Sequence, residues 1–225
     1  MPTPKYEKMD PIDHIHKRSD MYVGSIHQKT EHDEWIMSDK CMIKKENIRY
    51  SQAMLRVFVE ALSNAIDNVW RSSNTKTPCT KIKVNIKDNI ITIWNNGLSI
   101  PINKNNNEGV YNPELIFGHL LTGSNYNDDE QRFGSGRNGL GIKLTNVFSK
   151  EFNVKIYDPM TRILYKKQWT DNMRNHSKEK ITKSSSPSAK DKKGFVEISW
   201  QTDFTKFKID HFTKDMMSIF KKYVY

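Results

Sequence analysis

The chain has 225 residues, of which 36% are hydrophobic, 28% charged and 11% aromatic, enough apolar material for one large domain or a domain plus part of another. The formal charge of +10 and pI near 9.4 suit a polyanionic partner, nucleic acid or nucleotide phosphate, or serve solubility alone. No apolar run approaches the roughly 20 residues of a membrane span, Met1-Pro-Thr-Pro-Lys-Tyr6 carries no signal-peptide pattern, and Cys41 and Cys79 form no metal or redox motif, which favours a reduced intracellular protein over one with a disulfide.

Residues 1–11 are polar with three prolines and read as an arm. Residues 12–24 read as a short helix running into a turn at Gly24. His14 and His16 lie two apart and point apart on a helix, so a metal pair is not expected. Residues 27–48 alternate charge with isolated hydrophobes and read as loop or irregular hairpin.

A long amphipathic helix follows, from about Ser51 to Arg71. Met54, Leu55, Phe58, Leu62, Ala65, Ile66 and Val69 recur at three- and four-residue spacing. Glu60, Asn64, Asp67 and Arg71 share a narrow stripe of the same helix. Taken alone, such a stripe is more often a solvated face. This one offers a carboxylate and amides instead of Lys and Glu in quantity. Glu60 could act as a base, and Asn64 could give a hard cation a neutral oxygen ligand.

Ser72 to Pro78 is a polar connector. Lys81 to Lys87 alternates with period two, Asp88-Asn89 makes a tight turn, and Ile90 to Trp94 returns, so the pair is a hairpin. Its second strand ends in Asn95-Asn96-Gly97-Leu98-Ser99-Ile100-Pro101. Glycine at a strand end can bring backbone close to a ligand, or mark a plain turn. Asn112 is the expected N-cap of a helix over 113–121. Thr122 to Gln131 is a long polar loop of the kind used as a lid, or else mobile. Gly134-Ser-Gly136-Arg-Asn-Gly139-Leu-Gly141-Ile-Lys143 then opens another helix. Backbone N–H groups, the helix dipole, Arg137 and Lys143 together suit a phosphate cradle, the alternative being a flexible connector. Strands are expected at 151–158 and 161–169. A mobile Lys- and Ser-rich loop is expected at 172–193, a further strand at 195–200 and a terminal helix at 211–225.

A helix with E-x-x-x-N-x-x-D-N, a strand ending in N-N-G and a G-x-x-G-x-G opening a helix, in that order, resemble the GHKL ATPases. The chain is more closely similar to the ATPase domain of eukaryotic-type DNA topoisomerase II. Arg18 to Ser25, Ile93 to Gly97, Pro113 to Gly118, Leu121 to Tyr126, Gly136 to Leu144, Gln168 to Met173 and Asp203 to Phe207 carry that resemblance over nearly the whole length. It implies an α+β Bergerat fold, a two-layer sandwich with a mixed, mostly antiparallel sheet and helices on one face. It implies ATP and Mg²⁺ as ligands, with Glu60 as general base and Asn64 as the metal ligand. Asn68 and Arg71 would lie beside the phosphates, Asn95 at the adenine edge, and Ile100, Ile116 and Phe117 against the base. Ser124 and Asn125 would reach ribose or phosphate. Gly136, Arg137, Asn138, Gly139, Leu140, Gly141 and Lys143 would wrap the triphosphate, and Tyr6 would cross to the nucleotide of a partner subunit.

The chain departs from the family pattern at Val59, Ser99, Gly123 and Val196, where an acidic residue, a glycine, a serine and a strand threonine are usual. The resemblance assigns 1–11 to the arm and 12–225 to the ATPase domain, with the transducer and DNA-cleavage domains of the family absent from these 225 residues. It implies DNA as a partner through a full-length enzyme, a homodimer when ATP is bound, no membrane, and a nuclear location in a eukaryote. Two alternatives stay open: another GHKL ATPase of chaperone, mismatch-repair or kinase type, and a basic nucleic-acid-binding module with a vestigial nucleotide site. The stretches outside the nucleotide motifs argue against the first. Glu60, Asn64 and Lys143 argue against the second.

Overall fold

The computed structural model describes residues 8–38, 40–122, 139–183 and 193–225. Helix α1 (Pro11–Lys17) starts because Asp10 caps it, its carboxylate accepting from the backbone of Ile12 and Asp13 with Pro11 in the first turn. A second short helix, α2 (Ser19–Tyr22), leads to Gly24, whose φ of +88° makes the turn. His14 bonds the Tyr22 hydroxyl and His16 the Val147 carbonyl, so the two rings serve separate structural contacts.

The segment read as loop or irregular hairpin is a long hairpin: β1 (Gln28–Met37) pairs antiparallel with β2 (Ile43–Ser51), broken by one register shift between Glu31 and Glu34. Most of its side chains face solvent, and that erased the hydrophobic alternation in sequence. Helix α3 (Gln52–Ser72) follows directly, capped by the Ser51 hydroxyl on the Met54 amide.

The main sheet holds β3 (Ile82–Lys87), β4 (Ile90–Gly97), β5 (Ser149–Asp158), β6 (Ile163–Thr170), β7 (Asn175–His176), β8 (Lys180–Lys183) and β9 (Gly194–Thr202). Its order is β3-β4-β9-β5-β6-β7, with β8 also paired to β6, and every one of these pairings is antiparallel. Asp88 (φ +51°) and Asn89 (φ +63°) make the two-residue turn between β3 and β4. β7 and β8 overturn part of the mobile loop expected at 172–193. All their residues are exposed, Ile181 at 37%, and no apolar period marked them.

Helix α4 (Asn112–Gly118) begins one residue earlier than its sequence suggested. Tyr111 stands at the N-cap, and Asn112 turns its amide to Asn103 Oδ1 instead. Helix α5 (Gly141–Val147) and helix α6 (Lys214–Val224) complete the helical layer, with a 3-10 turn at Phe204–Phe207. The core lies between the helices and one face of the sheet. Phe58 of α3 stacks on Phe220 of α6 at 4.2 Å, and Ile91, Ile93, Phe152, Ile156, Ile198 and Trp200 face them from the strands. Each such fully buried side chain contributes roughly 1.5–3 kcal/mol. Lys167 of β6 and Glu114 of α4 meet at 2.7 Å inside this layer and fix where α4 sits on the sheet. The α+β architecture expected from sequence is the one observed.

Candidate functional site

The last two turns of α3 are tied to the loop after β4. Asn68, 4% exposed, donates from Nδ2 to the Leu98 carbonyl at 3.0 Å. Ser72 Oγ accepts from the Cys79 amide at 2.8 Å. Asn96 accepts from the amides of Thr80 and Lys81, both at 2.9 Å, and donates to Thr80 Oγ1. The N-N-G run is therefore a structural knot. A β-carbon on Gly97 would lie 2.7 Å from the backbone of Cys79, so the close approach this glycine permits is to the chain and not to a ligand. Ser99 has no positive φ, so glycine is not required there.

A cavity of about 210 Å³ opens between α3, the end of β4, α4 and β9. That is room for several waters. Ile93, Ile100, Ile116, Phe117, Val196 and Ile198 give it apolar walls; Asn64, Asn68 and Arg71 of α3 add amide and cationic groups. Asn95 is 5% exposed on the floor, directly across from Val196. Its Nδ2 donates to the Asn96 carbonyl at 3.2 Å, which leaves Oδ1 to accept. With Val196 apolar, Asn95 is the polar group on that part of the floor. Seven residues picked from sequence thus meet around one cavity: Asn64, Asn68, Arg71, Asn95, Ile100, Ile116 and Phe117. Ala61 and Ala65 also line it and were missed. Their small side chains on the face of α3 leave the space, and a stripe search for polar chemistry passes over alanine.

Glu60, Gly139, Leu140, Gly141 and Lys143 stand beside the cavity, at the contact of α3 with α5. Arg56 holds Glu60 Oε1 at 2.6 Å. A β-carbon on Gly141 would meet Oε2, so a larger residue there would make the Glu60 side chain shift. Asn64 donates from Nδ2 to the Glu60 carbonyl at 2.8 Å, leaving Oδ1 without a hydrogen bond among the described residues.

Lys143, expected from sequence at the triphosphate, bonds backbone carbonyls here. It is 3% exposed, and its ammonium donates to the Gly139 carbonyl at 2.6 Å and to the Thr122 carbonyl. It straps the two flanks of residues 123–138 and does not line the cavity. Burial lowers its pKa to about 8. Tyr6, Gly123, Ser124, Asn125, Gly136, Arg137 and Asn138 lie outside the described residues.

A pocket with apolar walls and amide and cationic groups from α3, the helix that also carries a carboxylate packed against a glycine-opened helix, has a counterpart among known folds. The sequence profile of the histidine kinase-, DNA gyrase B- and HSP90-like ATPases matches residues 50–163, and the chain belongs to that family. Within it, the chain is similar to DNA topoisomerase 2 of Candida albicans, with 39% identity over 222 residues, 98% of this chain and 15% of that protein. The DNA topoisomerase 2 of Invertebrate iridescent virus 6 is 38% identical over 231 residues, 98% of this chain and 20% of that protein. The crystal structure of the ATPase region of Saccharomyces cerevisiae topoisomerase II superposes with a TM-score of 0.89 at 33% identity, over 96% of this chain and 56% of that one. The chain therefore spans a fifth or less of these two curated relatives.

Proposed function

We propose that the chain binds and hydrolyses ATP as the N-terminal gate domain of a type II DNA topoisomerase, where closure of an ATP-bound dimer drives one DNA segment through another. The carrying observation is the single cavity shared by the α3 stripe and the N-N-G loop. The adenine would lie between Ile100, Ile116 and Phe117, with its amino group on Asn95 Oδ1. Asn64, Asn68 and Arg71 would face the phosphates. Glu60 would take a proton from the attacking water at Oε2, while Arg56 holds Oε1. DNA and a second copy of the chain are the partners, Tyr6 being the arm residue that crosses between copies. The nucleus is the compartment in a eukaryote.

The same geometry fits Mg²⁺ at Asn64. Among the described residues no three His, Cys, Asp or Glu side chains gather into a metal site. A cation here would be held by Asn64 Oδ1 together with phosphate and water oxygens, as suits Mg²⁺. Once bound, it offsets charge developing on the transferring phosphoryl group. Asn64→Ala should weaken ATP binding in Mg²⁺ by roughly tenfold or more, the scale on which even outer-shell changes act, and change it little in EDTA. Calorimetric titration of ATP in both buffers checks this. Equal losses in the two would remove Asn64 from the metal.

Lys143 gives a pH signature. Its ammonium is charged below about pH 8 in the free chain. A triphosphate at the start of α5 favours the charged form and raises that pKa. Below pH 8 both states are protonated and affinity is flat. Above it, binding must take up a proton, and affinity falls by up to about tenfold per pH unit until the raised pKa is reached. Titrations at pH 7 and 9 should differ by about tenfold in the native chain. Lys143→Met should bind more weakly at pH 7 and show no such slope.

The discriminating experiment for the whole reading is ATP·Mg²⁺ titration followed by a hydrolysis assay. A basic module with a vestigial site would bind nucleic acid and leave ATP untouched.

A further inference from the structure

On the sheet face turned away from the helices, one line of side chains crosses six strands in register. Lys83 of β3 stands opposite Trp94 of β4, and Trp94 opposite Glu197 of β9. Glu197 stands opposite Lys155 of β5, Lys155 opposite Lys166 of β6, and Lys166 opposite Lys180 of β8. Lys83, Lys166 and Lys180 are exposed and the other three half-buried.

Three lysines on adjacent strands therefore face one another directly. Side chains so placed have Cβ atoms ~4.5–5.5 Å apart, and like charges there are destabilising. Edge lysines guard a strand against pairing with other chains, which accounts for Lys180 on β8. It does not account for Lys155 and Lys166, because β5 and β6 are paired on both sides. Glu197 offsets part of the charge, its Oε1 lying 3.9 Å from Lys155 Nζ. Four lysines against one glutamate leave the line at +3. Sheets that violate a local rule tend to do so at functional positions.

We propose that this line seats the phosphate backbone of duplex DNA. The charge is complementary to a polyanion, and the strand spacing puts the lysines at steps of ~4.8 Å across an open surface. The duplex presents one negative charge per ~1.7 Å of its axis, dense enough to engage each step. Unpaired strands fit less well, because they need free aromatic faces for base stacking. Here Lys83 Nζ covers the Trp94 ring at 4.7 Å, and Lys155 Nζ covers Phe195 at 5.3 Å. That the polyanion is DNA rests on the topoisomerase reading above; the charged line does not.

The test is fluorescence anisotropy of a labelled duplex against the whole chain over 50–200 mM salt, with no nucleotide present. Replacing Lys155, Lys166 and Lys180 together by Gln should lower the slope of log affinity against log salt by about 2.7, three contacts at ~0.9 each. The variant should accordingly lose roughly 40-fold less affinity than the native chain between those salts. Its Tm should be equal or higher, since repulsion is relieved. Replacing the exposed Lys17, Lys29 and Lys214 by Gln removes the same net charge elsewhere and should leave the slope within one unit. An unchanged slope in the first variant, an equal drop in the second, a lowered Tm, or tighter binding of polyglutamate or single strands than of duplex would each overturn the proposal. ATP·Mg²⁺ binding is measured apart, so failure of the ATPase reading shows there and not in the duplex titration.

Discussion

Glu60→Gln should leave ATP affinity unchanged and lower the hydrolysis rate by roughly two to four orders of magnitude, the range for loss of a general base. The amide keeps the shape of the carboxylate and its place beneath Gly141, and it can still accept from Arg56 through Oε1. What it cannot do is take a proton at Oε2. The cavity walls, Asn64, Asn68 and Arg71 are untouched, so binding stays. Rates measured at saturating ATP, with affinity followed in parallel, separate the two effects. A turnover number within threefold of the native chain would remove Glu60 from the chemistry.

Gly97→Ala should be among the most destabilising single substitutions in the chain. The residue sits at φ +111°, a conformation L side chains rarely adopt, and an added β-carbon would lie 2.7 Å from Cys79 Cα and 2.7 Å from Cys79 N. The backbone strain is worth ~1–3 kcal/mol and the overpacking a similar amount, together roughly 2–6 kcal/mol. Domains are stable by only ~5–15 kcal/mol. For a chain of this size the Tm should fall by about 5–20 °C. Because Asn68 bonds the carbonyl of the next residue, Leu98, ATP affinity should fall in the same variant. A melting point within 1–2 °C of native, a shift of about half a kcal/mol, would show that the knot between β4 and Cys79 yields easily. At Ser99, by contrast, the backbone carries no strain, and Ser99→Gly should bring no gain from relieving it.

The helix α3, the β3–β4 hairpin and the stripe of Glu60, Asn64 and Arg71 could be read from sequence because their signals are local. Apolar residues at helical spacing, a two-residue turn and a period of two all lie within a few positions of one another. What escaped depends on distant partners. The need for glycine at 97 comes from Cys79, which arrives from the connector before β3. The ammonium of Lys143 is held by carbonyls at 122 and 139, and no spacing announces that a cradle lysine will bond backbone. Ala61 and Ala65 contribute space, which has no sequence chemistry. No residue of β7 or β8 is fully buried, and their sequences carry no alternation; their pairing with β6 makes them strands. The shift of the α4 cap from Asn112 to Tyr111 reflects a competing partner for the asparagine amide, Asn103.

The seam between β4 and β9 has a temporal side. Gly97 pairs with Gly194 and Asn95 with Val196, so the two strands that floor the cavity are separated by about a hundred residues of chain. Pairings of such long range are slow to form, because the loop must close before any contact rewards it. On a ribosome adding roughly 5–20 residues per second, β4 waits about 5–20 s for its partner. Throughout that interval the α3 stripe and the N-N-G loop can exist without a binding site, since Val196 and Ile198 have not yet been made. The cavity is therefore completed only when β9 arrives between β4 and β5.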